Sequence, residues 1–235
     1  MKKVATIILN RNLPEPTNKL FEFLEKEESD INDTFIVEAG SNKEQLSKYY
    51  TWYENSPEVI KNGLRFPRGM NYGLSKLYDS GKYHDYDAFL LITNDTEFLD
   101  RKPISKLMKI IEKHGKLGLL SPCSKRWGEF QLLKGKYKTK YFWHIQNTAY
   151  LIKKELINNI GNFDKTDTNK FLFDGENFRG FCSESELIAK SYINDWAAGI
   201  TSEVSIIENE QYLLSMAKII NTENKKTNLK LYIEE

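Results

Sequence analysis

Short, β-branched apolar runs that each stop at a polar cluster constrain this chain more than any other feature. Val4-Ala5-Thr6-Ile7-Ile8-Leu9 ends at Asn10-Arg11-Asn12, Thr34 to Val37 ends at Glu38-Ala39-Gly40-Ser41, and Ala88 to Thr93 ends at Asn94-Asp95-Thr96-Glu97. Such runs predict strands buried on both faces. Helical patterns lie between and after them. One is expected over about 18–26, capped by Thr17 with Leu20, Phe21, Phe23 and Leu24 inward, and others over 44–53 and 104–113, the last opened by Pro103. Alternating strands and helices predict a parallel sheet with crossover helices.

Beyond Leu117–Leu120, a further short strand run, the pattern loosens. Residues 127–143 are aromatic, basic and irregular; a strand is expected at 149–152, a helix at 154–160 stopped by Gly161, a polar loop at 164–177, and a helix at 184–192 capped by Ser183. No internal repeat is visible. At 235 residues one core is expected, with residues 1–100 and 101–205 as two halves of a single domain and 206–235 as a helical or solvated extension.

Composition limits the partners. The 34 Lys and Arg nearly cancel the 33 Asp and Glu, which argues against duplex nucleic acid or bulk attraction to an anionic membrane, while a local basic patch stays compatible. No run reaches a membrane-spanning length, and the first apolar run is too short for a secretory signal, so at most peripheral membrane contact is expected. Two cysteines, Cys123 and Cys182, are too few for a stapled secreted scaffold, and a reducing cytoplasm is the expected compartment. His84, His114 and His144 are too scattered for a zinc-site spacing.

Ligands of open parallel sheets bind beyond the carboxyl ends of the strands, which directs attention to the three polar clusters. There the sequence resembles inverting GT-A glycosyltransferases of family 2. Residues 4–12 are similar to that family's opening strand, Ile36-Val37-Glu38-Ala39-Gly40-Ser41 to its second strand, and Gly69-Met70-Asn71-Tyr72-Gly73-Leu74 to the G-x-N-x-G turn of its rhamnosyltransferase-like branch. Residues 86–98 resemble that branch's Y-D-x-x-L-L-L-N-N-D-T segment, Asn159–Asp164 its G-x-[FL]-D, and Ser183-Glu184-Ser185-Glu186-Leu187 its E-D-x-D-L. The resemblance covers about residues 4–200 in order and implies a GT-A fold, with a Rossmann-like, mostly parallel sheet between helices and nucleotide-binding and acceptor-binding halves.

It further implies transfer of a sugar from a UDP-, dTDP- or GDP-sugar to a hydroxyl acceptor such as a glycan. Leu9, Asn10, Arg11, Glu38, Gly40, Ser41, Arg68, Gly69, Asn71, Asn94 and Asp95 are then the expected nucleotide contacts. Asp95 occupies the last position of the family's D-x-D and is the expected ligand of Mn²⁺ or Mg²⁺, hard cations that favour carboxylate oxygen. Thr93 replaces the first Asp, which points to weak or dispensable metal. Glu184 falls where the family carries its general base, the group that takes the acceptor's proton. Trp127, His144, Gln146, Asn147 and Glu186 are the expected acceptor contacts, combining aromatic faces with polar tips. Two other readings remain: a nucleotidyltransferase, disfavoured because Asn10-Arg11-Asn12-Leu13-Pro14 has no glycine, and a catalytically degenerate carbohydrate-binding or assembly module.

Overall fold

The computed structural model describes residues 4–125, 129–145, 148–164, 168–178, 180 and 182–209. In chain order these form β1 (Val4–Asn10), α1 (Pro14–Glu28), β2 (Asn32–Ala39), β3 (Trp52–Glu54), α2 (Pro57–Asn62), α3 (Arg65–Asp79), β4 (Ala88–Thr93) and β5 (Thr96–Phe98). There follow α4 (Pro103–Lys113), β6 (Leu117–Ser124), α5 (Glu129–Leu132), β7 (Thr139–Tyr141), β8 (Ala149–Lys153), α6 (Lys154–Ile160), α7 (Ser183–Ile193) and β9 (Ala197–Glu208). All the strands join one sheet in the order β3-β2-β1-β4-β8-β6-β9-β5, with β7 on the outer side of β9. β1, β2, β3 and β4 run parallel, as do β6 and β9, while β8 inserts antiparallel between β4 and β6. The expected single α/β domain on a mostly parallel sheet is what forms.

The sheet is covered on both faces. Ile8, Ile36, Leu90 and Ile92 pack under α1 and α4, and Ile7, Val37, Phe89 and Leu91 under α3, α6 and α7. Strand alternation sorts these residues to opposite sides. Burial of so many aliphatic side chains at about 25 cal/mol per Å² is the dominant stabilising term.

Several local expectations are corrected. The helix expected over 44–53 is a 3₁₀ turn at Lys43–Gln45 followed by β3. Glu38 and Asn18 draw this segment in, through Ser47 N–H to Glu38 (2.7 Å) and Ser47 Oγ to Asn18 (2.7 Å), so tertiary hydrogen bonds outweigh the helical pattern. The glycine-containing turn at 69–74 is the middle of α3. Thr17 is not a cap: α1 starts at Pro14, and the Thr17 hydroxyl donates to the Leu13 carbonyl (2.7 Å). Ser183 is the first residue of α7 rather than its cap. Residues 206–208, expected to open an extension, complete β9 and pair with β5. Cys123 and Cys182 form no disulfide. No helix among the described residues is long and apolar enough to cross a membrane.

Glycines set two close approaches. Gly40 has φ +77°, and a Cβ there would lie 2.0 Å from the Val59 carbonyl oxygen. Gly40→Ala is therefore expected to cost about 2–4 kcal/mol, read as a lower denaturation midpoint at unchanged slope. On α3, a Cβ at Gly69 would meet Leu9 at 2.3 Å and one at Gly73 would meet Ile7 at 2.8 Å, so these glycines let the helix lie close on β1.

Candidate active site

The ends of β1, β2 and β4 form one rim, with Asn10 level with Glu38 and Leu9 level with Thr93. Strand alternation divides the rim residues. Asn10 and Glu38 share the α1 face with Ile8 and Ile36. Asn10 Nδ2 donates to both Glu38 oxygens (2.9 Å each), and Glu38 also accepts from Ser41 Oγ (2.5 Å) and Ser47 N–H (2.7 Å). Asn94 Nδ2 donates to Asn10 Oδ1 (2.8 Å) and Thr17 Oγ1 (3.0 Å). Glu38, Asn10 and Ser41 are fully buried. A carboxylate has about four acceptor sites, and those of Glu38 are filled inside the protein. Glu38, expected as a nucleotide contact, closes the 41–47 loop onto β1.

The opposite face carries the charges. Arg11 extends over the α2–α3 junction, its Nη2 donating to the Ile60 (3.0 Å) and Lys61 (3.1 Å) carbonyls, the last turn of α2. Its buried Nε has no hydrogen-bond partner. Burial, then the neighbouring Arg65 charge, lower the Arg11 pKa. Arg65 itself stands at φ 63°. Arg68, mostly buried, donates from Nε to Asn169 Oδ1 (3.2 Å) and reaches Glu58 at 3.5 Å. Three guanidinium groups thus gather where α3 begins, a fit to an anion of the phosphate class.

Across β1, Asp95 lies in the turn between β4 and β5. Burial, with the nearby Glu208 carboxylate adding to it, raises the Asp95 pKa; a hydrogen bond from Thr93 opposes this. Glu208, at the end of β9, is 8% exposed and accepts a short hydrogen bond from Thr148 Oγ1. The β5–β9 ladder sets this meeting, with Thr96 opposite Glu208 and the Asn209 N–H donating to the Asp95 carbonyl (2.9 Å). Thr93 Oγ1 lies 3.1 Å from Thr96 Oγ1. Glu208 was not expected from sequence, because no local motif marks it; its signal is a long-range register. A cleft of about 350 Å³ between α1 and residues 94–98 borders Asp95 on the α1 side.

The chemistry of this donor set suits a hard divalent cation. Two carboxylates and threonine hydroxyls are all oxygen, and Mg²⁺ or Mn²⁺ takes one or two carboxylates while retaining waters and substrate phosphates. No group of three His, Cys, Asp or Glu that could hold a metal occurs among the described residues. Asp95 and Glu208 fit a cation shared with a ligand better than one fully caged by protein.

Asn71 organises the remaining wall. Fully buried on α3, it donates from Nδ2 to the Asn169 (2.5 Å) and Phe173 (2.8 Å) carbonyls and accepts at Oδ1 from the Leu172 and Phe173 amides (3.0 Å each). All four hydrogen bonds of its amide are used. Asn71, expected as a nucleotide contact, anchors the 169–173 segment. The Asp174 N–H that follows reaches Glu186 Oε2 at 3.5 Å, and the Lys190 ammonium bridges Glu186 (2.7 Å) and the Leu172 carbonyl (2.7 Å).

These links place the first turn of α7 at the rim. The last turn is tied to the start of β9 by the Trp196 N–H to Ser191 carbonyl bond (2.9 Å), at the strands' starting edge. Eleven residues of helix rise about 16 Å. Leu187 and Ile188 pack in the α3-side core, so α7 crosses that face towards the strand ends. Glu184, half-buried in the first turn of α7, lies at the carboxyl edge of the sheet on the α3 face with Arg11 and Arg65, and Asp95 lies at the same edge, bordering the α1-side cleft. His144 is exposed beside Trp143, and no described contact joins it to the rim. Trp127, Gln146 and Asn147 lie outside the described residues.

Burial raises the Glu186 pKa, against the pull of Lys190. A carboxyl whose folded pKa exceeds its unfolded one binds its proton more tightly when folded, so its contribution favours folding at low pH. That contribution is lost as pH rises from the unfolded value of about 4.5 through the folded one. In paired denaturation series, the decline with rising pH should be smaller in Glu186→Gln than in the wild type, the remainder including the Asp95 contribution.

No family model matches the chain, and no curated protein sequence matches it. Solved structures do. The mannosyltransferase PcManGT from Pyrobaculum calidifontis, in complex with GDP-Man and Mn²⁺, superposes with a TM-score of 0.62 at 12% identity over 99% of this chain and 64% of its own. GalNAc-T7 with UDP, GalNAc and Mn²⁺ gives 0.61 at 10% identity, covering 88% and 44%. TarS 1-349 of S. aureus gives 0.56 at 12% identity, covering 96% and 68%. The chain thus spans less than two thirds of the length of the first two. These likenesses establish its architecture: the chain has the GT-A fold of these glycosyltransferases.

Proposed function

We propose that the chain is an inverting glycosyltransferase of the family 2, rhamnosyltransferase-like kind, moving a hexosyl group from a nucleoside diphosphate to a hydroxyl acceptor such as a glycan. The observation that carries this is the meeting of Asp95 and Glu208 at the carboxyl edge of the sheet, with the guanidinium groups and the acidic start of α7 at the same edge on the α3 face. PcManGT and GalNAc-T7, described with nucleotides and Mn²⁺, support it by fold. In this reading residues 1–100 bind the donor and residues 101–205 build the acceptor side.

Asp95 and Glu208 would hold Mn²⁺ or Mg²⁺, and the cation would supply neutralisation of the charge that builds on the departing diphosphate. Arg11, Arg65 and Arg68 orient the phosphates. Leu9, Gly40, Gly69, Asn10, Ser41 and Asn94 shape the donor floor through backbone and buried contacts, and Glu38 and Asn71 position it. Glu184 takes the acceptor hydroxyl proton onto its carboxylate as that oxygen bonds to the anomeric carbon and the bond to the diphosphate breaks. Glu186, locked to Lys190, positions the acceptor wall, and Trp127, His144, Gln146 and Asn147 are the acceptor contacts proposed from the sequence.

Calorimetry with UDP, GDP and dTDP, with and without Mn²⁺, tests the donor site. One nucleotide should bind with Mn²⁺, and Asp95→Asn and Glu208→Gln should each weaken the metal-dependent part by about tenfold or more. Absence of nucleotide binding in every condition contradicts the reading. A second reading, a non-catalytic carbohydrate-binding module, draws on Thr93 in place of the first D-x-D acid and on the internally occupied Glu38; it predicts glycan binding without nucleotide binding.

A further inference from the structure

We propose that the β7 edge of the sheet docks on an anionic lipid surface. The chain's net charge of +1 hides a strong asymmetry: residues 101–140 contain twelve Lys and Arg against two Glu. This stretch covers α4, β6, α5 and β7, and its Lys113, Lys116, Lys134, Lys136 and Lys138 are exposed. An excess of positive charge along this stretch favours an anionic partner, with Glu112 and Asp195 as the nearby exposed acids.

Apolar tips stand near Lys113 and Lys116, which share a surface hollow with Tyr141, Asn194 and Asp195. Trp143 is 81% exposed and Ile193 is 83% exposed. They flank a single contact, the Tyr192 hydroxyl donating to the Phe142 carbonyl (3.0 Å), so the end of β7 and the end of α7 present them together. Tyr141, 53% exposed, lies beside them, its ring 6.2 Å from that of His114 in the turn after α4. A soluble polyanion would satisfy the lysines and leave Ile193 in water. A bilayer takes both: headgroups meet the ammonium groups, Trp and Tyr settle at the headgroup level, and the aliphatic tip enters the acyl boundary. Glu184 and Ile193 are nine residues apart on α7, about 14 Å along the helix, so a docked bilayer leaves the rim open. The inference stands independently of the catalytic reading.

Co-sedimentation of the full chain with phosphatidylcholine vesicles, and with phosphatidylcholine–phosphatidylglycerol vesicles, tests it. The chain should pellet with the anionic vesicles alone, and release as salt rises. Trp143→Ser and Ile193→Ser should each weaken this about tenfold, the loss expected for one large apolar side chain withdrawn from lipid. Both side chains are exposed, so thermal melts of the variants should match the wild type and separate lost docking from lost folding. Failure to pellet at low salt, or pelleting unchanged in both variants, overturns the proposal. Displacement by heparin together with unchanged variants also overturns it, in favour of a soluble polyanion.

Discussion

Glu184→Gln is expected to lower sugar transfer on the order of 100- to 10,000-fold while leaving donor affinity near the wild-type value. The substitution keeps the shape of the side chain in the first turn of α7 and removes its capacity to accept a proton. Glu184 lies on α7, an element that carries none of the proposed donor contacts, so nucleotide binding should not follow the loss of activity. A kcat that collapses at nearly constant donor affinity marks an interaction made with the reacting acceptor. Near-wild-type transfer in Glu184→Gln would remove it as the base. Glu186→Gln separates the two acids: its contacts run to Lys190 and Asp174, and its loss should raise acceptor KM more than it lowers kcat.

The second large effect is structural. Asn71→Ala removes an amide that satisfies two backbone carbonyls and two backbone N–H groups of residues 169–173. Buried backbone groups left without partners cost about 1–3 kcal/mol each, and partial rewetting of the segment limits the total to about 3–5 kcal/mol. Chemical denaturation should register that loss. Hydrogen exchange at Leu172 and Phe173 should accelerate well beyond the change in global stability, because their amides lose their acceptor. Asn71→Asp retains an oxygen for those amides but turns the other towards two carbonyls, so it too should destabilise. A stability unchanged in Asn71→Ala would show that α3 does not hold this segment.

The sequence made the centre of the fold legible because β1, β4, β6 and β8 are short, continuous apolar runs whose burial does not depend on distant detail. α3 escaped because Gly69 and Gly73 read as turn residues. Their actual setting is a helix pressed onto Leu9 and Ile7, where the missing Cβ atoms permit the contact. The 43–54 segment escaped for the converse reason: its apolar spacing suits a helix, but Glu38 and Asn18 capture Ser47, and the Ile36 N–H donates to Thr51 Oγ1. Short strands such as β5 and β7 have too few residues to carry a period.

The site divided along similar lines. Asp95, Arg11 and Glu184 stand out in the sequence as polar residues after strands or at a helix start. Glu38 and Asn71 were expected as ligand contacts because of their place in local motifs, and their hydrogen-bond capacity turned out to be used within the protein. Glu208 and Arg65 had no such motif. Each joins the rim through tertiary placement: Glu208 through the β5–β9 register and Arg65 through the α2–α3 junction.

The most direct test of the account is a crystal structure of the chain soaked with a nucleoside diphosphate and Mn²⁺, read by anomalous scattering. The account predicts a manganese peak between the Asp95 and Glu208 carboxylates, with the phosphates against Arg11 and Arg65 and the start of α7 across an open gap. A nucleotide bound away from this rim, or manganese ligated without either carboxylate, would contradict it.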